Sequence, residues 1–93
     1  MDIYNPLIWL EVMRLNGMSY RQAPVISGYW DSYEKAENEL IRASTIILNG
    51  LEDDAKYVKT VAREPEGNLE IDVFYIDRVI TIYGQIHHGT KIN

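Results

Sequence analysis

Two neighbouring imidazoles, three consecutive carboxylates and a pair of adjacent aromatic rings are the groups in this chain with chemistry to offer. His87 and His88 are the only histidines. On an extended backbone adjacent side chains project to opposite faces, so the two cannot ligate one metal together, and no spaced third histidine completes a site. General acid–base work by either imidazole would need an orienting partner that the neighbouring residues do not supply. Glu52, Asp53 and Asp54 lack the alternating ligands and central glycine of a calcium loop, and read as a solvated connector. The serines at 19, 27, 32 and 44 sit in no nucleophile-elbow pattern. No catalytic centre, metal or cofactor is expected, and the chain reads as non-enzymatic.

The aromatic pair stands in "GYWDSYEKAENELIRA", residues 28–43. Bulky Tyr29 and Trp30 with acidic Asp31 occupy the place where a phosphate cradle needs small, neutral or basic residues, which excludes the usual mode of nucleotide binding. Alternation along a strand puts Tyr29 and Trp30 on opposite faces, so one of them is expected outside. Trp30 is placed to act as the apolar staple of a helix entry, packing near Tyr33 or Leu40. The competing reading is an exposed patch of Tyr29, Asp31, Tyr33 and Glu34 that meets a basic partner.

The elements that must position these groups follow from pattern. Residues 7–15 and 18–30 read as a hairpin around Asn16-Gly17, with Pro24 marking an edge or bulge in the second arm, although 6–15 also fits a helix loosely. A helix begins at Ser32, capped by Asp31 with Glu34 reaching back. Its buried stripe is Tyr33, Ala36, Leu40, Ala43, Ser44 and Ile47, widened by Ile41 and Leu48, and Asn49-Gly50 is its stop. Residues 56–63 read as a strand or a short helix, 69–76 as a half-exposed strand, and 79–86 as a last strand. The expected fold is α+β, ββαβββ, an antiparallel sheet of four to five strands with one main helix packed on one face.

The chain has 93 residues and no cysteine, which removes disulfides, thiolate metal sites and thiol nucleophiles together. Its size suits a single compact domain, 1–93, with one modest core. The amino-terminal stretch has an acid where a signal peptide needs basic residues, and no apolar run is long enough to span a bilayer, so a cytoplasmic protein without membrane contact is expected. Net charge is −5, and residues 31–72 alone carry eleven acids against five bases. Such a segment attracts Lys- and Arg-rich proteins and repels nucleic acid.

Small size, the absence of a reactive constellation and acids beside surface-prone aromatics together lead to a non-enzymatic interaction protein. It would be an inhibitor or adaptor on a basic protein surface, for instance a phage- or mobile-element-borne antagonist of anti-CRISPR or anti-defence type. The partner-binding candidates are Tyr29, Trp30, Asp31, Tyr33, Glu34, Glu52, Asp53 and Asp54. The alternative is a small-ligand or nucleotide-type sponge, with Trp9, Trp30 and several tyrosines lining a pocket between helix and sheet or between subunits. Strand 79–86 is apolar on both faces and so must be central or covered, which makes a homodimer one solution.

Overall fold

The computed structural model describes residues 1–14, 16–17, 19–21, 28–63 and 68–92. Five strands and one helix follow one another as β1 (Asp2–Arg14), β2 (Ser19–Arg21), α1 (Tyr33–Leu51), β3 (Tyr57–Arg63), β4 (Asn68–Phe74) and β5 (Arg78–Thr90). The strands form one antiparallel sheet in the order β2-β1-β5-β4-β3, with α1 packed across β1 and β5 on one face. This is the expected ββαβββ arrangement. Of the two ambiguous segments, residues 6–14 are strand and so are residues 57–63.

β1 begins at Asp2 rather than Leu7, and it runs straight through Pro6. The ladder explains why the proline is tolerated. Tyr4 exchanges both backbone hydrogen bonds with Trp30 on the outer edge, 2.8 Å each. Pro6, two residues on, turns the same way, so its missing N–H lies on the side away from β5 and no central ladder bond is lost. At the far end of β1 the chain turns through Asn16-Gly17, with Gly17 at φ +86 and its N–H on the Arg14 carbonyl at 3.0 Å. Pro24 lies outside the described residues.

Period-two alternation sorts β1 and β5 into two faces. Pro6, Ile8 and Val12 pair across the ladder with Ile86, Gly84 and Ile80, and these, with Ile71, Ile82 and Val73, form the floor beneath the helix. The helix contributes Ala36, Leu40 and Ser44 to that contact, flanked by Ala43, Ile47 and Leu48 as the stripe predicted. Two expected members do not belong to it: Tyr33, in the first turn, is 37% exposed and Ile41 is 52% exposed. Where α1 crosses the sheet, Gly84 leaves room for Leu40. A Cβ at Gly84 would lie 3.0 Å from Leu40 Cδ1 and 3.3 Å from its Cγ.

Both ends of the helix depart from expectation by a residue. Ser32, not Asp31, is the N-cap, its hydroxyl accepting from the Lys35 N–H at 3.2 Å, while Asp31 pairs with the Lys35 ammonium at 3.0 Å. At the other end Gly50 remains helical and α1 continues through Leu51. A glycine stop is not needed there, because the Tyr75 hydroxyl, from the β4–β5 turn, donates to the Leu51 carbonyl. Burial pushes the Tyr75 hydroxyl up from its ordinary pKa.

β5 is the middle strand of five, so both its edges are paired; one of its faces lies beneath α1 and the other carries no layer among the described residues. No helix among the described residues is long and apolar enough to cross a membrane.

Candidate functional site

The amino end of α1 is built on β1 and β5. The Tyr4–Trp30 bridge holds Trp30 on the helix side of the sheet, where it packs against the core; this is the structural half of the expectation for the aromatic pair. Just before it, Gly28 takes φ +113, and its carbonyl accepts from the Asn5 side-chain amide. Tyr29 points out, 48% exposed, and Lys91 donates to its hydroxyl at 2.9 Å with the ammonium 5.3 Å from the ring centroid. The ammonium therefore sits at the hydroxyl end of the ring and not over its face.

A cleft of about 290 Å³ opens here, lined by Tyr4, Tyr33, Ile86 and His88. Its geometry follows from register. Tyr4 and His88 are cross-strand partners, which stacks their rings at 4.8 Å with 8° between the planes. Tyr33, in the first turn of α1, meets Tyr4 edge-on at 6.0 Å and 87°. Asp2 lies beside the imidazole, its Oδ1 3.3 Å from His88 Nε2. Glu34 follows Tyr33 on the exposed side, and the Lys35 ammonium holds the Asp31 carboxyl below the usual carboxylate range, chiefly through their hydrogen bond.

Two flat rings, an edge-on third and neighbouring carboxylates make an environment for a cation. Asp2 is also the carboxylate partner for an imidazole that the residues next to it in sequence did not supply. Among the described residues no three histidine or carboxylate side chains come together as a metal site. His87 projects to the other face, as adjacency requires, where its Nε2 lies 2.9 Å from Gln85 Oε1.

The eight residues singled out from the sequence do not form one patch. Tyr29, Trp30, Asp31, Tyr33 and Glu34 gather at the amino end of α1. Glu52, Asp53 and Asp54 are exposed at its carboxyl end, and nineteen residues of helix put roughly 28 Å between the two groups. The pocket imagined around both tryptophans is not assembled either, because Trp9 lies on the sheet face opposite α1, stacked on Tyr83 at 6.1 Å. Asp2, Tyr4, Ile86 and His88 were not foreseen as site residues. Pro6 ended the apolar run of β1 as read from the sequence, and no local pattern carried the strand past it to Tyr4 and Asp2.

No protein-family model, curated protein or solved structure matches this chain.

Proposed function

We propose that this chain is a non-enzymatic binding protein, an inhibitor or adaptor that works in the cytoplasm by seating on a Lys- and Arg-rich protein surface. A single observation carries the reading: the cleft at the amino end of α1, with Tyr4, Tyr33 and His88 as its walls and Asp2 beside the imidazole. A lysine or arginine side chain entering it meets ring faces and a carboxylate, the two partners a partly desolvated cation favours. The acids of α1 and of the turn after it add a long-range field. Residues 31–54 carry seven acids and two bases, and in this segment Asp31 and Glu39 are the acids with a cation beside them, Lys35 and Arg42. Such a field steers a basic partner in and repels phosphate backbones. Blocking the nucleic-acid groove of an antagonised enzyme is the use that this charge sign favours.

A metabolite sponge is the weaker reading. The cleft, at about 290 Å³, lies at the floor of the range of small-molecule sites, roughly 300–1,000 Å³, and one amphipathic side chain suits it better.

The test is titration of an Arg- and Lys-rich model peptide against isotope-labelled protein, followed by NMR at two salt concentrations. Shifts should concentrate at Tyr4, Tyr33 and His88. Affinity should fall several-fold between about 50 and 200 mM salt, and Tyr33→Ala should weaken binding about tenfold, the scale of one desolvated cation–π contact. Shifts confined to Glu52–Asp54, with the cleft silent, would move the site to the other end of the helix.

A further inference from the structure

α1 covers one face of the sheet, and the other face has no layer upon it among the described residues. Two aromatic clusters stand on it. Leu7 and Trp9 on β1 stand beside Tyr83 on β5, and Phe74 on β4 stacks on Tyr57 of β3 at 4.2 Å and 10°. Trp9, Tyr83 and Phe74 are only half-buried, and Tyr57 is 58% exposed. An alternating strand pattern places such residues outward when another layer is to cover them.

Between the two aromatic pairs runs one polar row, Arg21, Glu11, Thr81, Asp72 and Lys59, one residue from each strand. Four of its members bond sideways within the sheet, and Lys59 stands at the edge strand, where its ammonium can reach solvent. Arg21 reaches Glu11 at 3.1 Å, and the Thr81 hydroxyl donates to Asp72 at 2.8 Å. Covering this row therefore leaves few polar groups orphaned, the condition under which a sheet face can be desolvated without a large penalty.

We infer that this open sheet face is the contact surface for a second copy of the chain, two sheets packing face to face with one helix outside each. Two observations favour a copy over a foreign partner. The five strands present a face on the order of 700 Å², against the roughly 800 Å² per partner of an ordinary stable interface. The charge is also distributed to allow it. Residues 31–54 carry a net −5, equal to that of the whole chain, and would repel their own kind, while the described charges of the open face, Glu11, Glu70 and Asp72 against Arg21 and Lys59, nearly cancel. The face that can meet itself is the one the helix leaves bare.

The inference is independent of the basic-partner reading, and one set of measurements separates them. Sedimentation equilibrium of the full chain from about 1 to 100 μM should give a dimer whose dissociation changes little with salt, whereas binding to a basic peptide weakens with salt. Thr81→Lys and Leu7→Lys each set a charge in the middle of the face and should raise the dimer dissociation constant about 30-fold or more. Ile46→Lys, on the exposed side of α1, should leave it unchanged. A wild-type chain that stays monomeric to 100 μM overturns the inference, whatever else binds the face. So does a dimer lost in Ile46→Lys but kept in whichever of the two sheet variants shows a cooperative melt.

Discussion

Gly84 is the residue on which the packing of helix against sheet turns. It lies in the central strand directly beneath Leu40, which is 2% exposed and held on all sides, so an added methyl at 84 has to displace a locked core side chain. Gly84→Ala is expected to destabilise the fold by about 1–3 kcal/mol, the usual cost of overpacking, visible as a lower denaturant midpoint at constant m-value. Nothing in the local sequence "IYGQI" marks this glycine, since it needs no left-handed backbone. Its reason is a contact across the fold. Tyr4 was opaque for the same cause: it is an unremarkable strand residue until register stacks its ring on His88, which the sequence offered only as half of a histidine pair.

Elements were more legible than contacts. The helix could be read because its three-four stripe, Ala36, Leu40, Ala43 and Ile47, is long and uninterrupted, and β4 because "LEIDVF" alternates cleanly. Boundaries slipped where a tertiary partner replaced a local signal: the Tyr75 hydroxyl at the end of α1, and the edge-facing Pro6 in β1. At the helix entry two residues competed for one role, and Ser32 caps the backbone while Asp31 pairs with a side chain in solvent. Ser32→Ala should therefore cost about 1 kcal/mol in thermal or chemical unfolding, whereas Asp31→Asn should have no comparable effect. Equal losses from both would return the cap to Asp31.

At the scale of the molecule, acidity and aromaticity are parcelled out rather than blended. The long axis is 49 Å against 23 and 21 Å for the others, and the exposed acids of Glu52–Asp54 sit at the opposite end of α1 from the cleft. Asp53→Lys with Asp54→Lys should then slow association with a basic peptide and flatten its salt dependence, with little change in dissociation rate, because steering acts through the field and not through contact. Stopped-flow measurement of both rates checks this. A large rise in the dissociation rate would mean that the loop touches the partner. The sequence revealed the sign of this field and its rough location, but not that one helix length separates it from the rings.

The ladder between β1 and β5 pairs every residue from Asp2 to Arg14 with one from Thr90 back to Arg78. On a ribosome, at typical elongation rates, roughly 3 to 13 seconds pass between the emergence of the two segments. Throughout that interval the β5-facing edge of the first of them, which holds two isoleucines, two leucines and a tryptophan, is unpaired. Its partners must wait for nearly the whole chain, so folding proceeds by late closure of a distant pair and carries the slow rate of a sequence-remote topology. The same strand that lies inside the finished sheet, between β2 and β5, is for those seconds the segment most open to pairing with a neighbouring nascent chain.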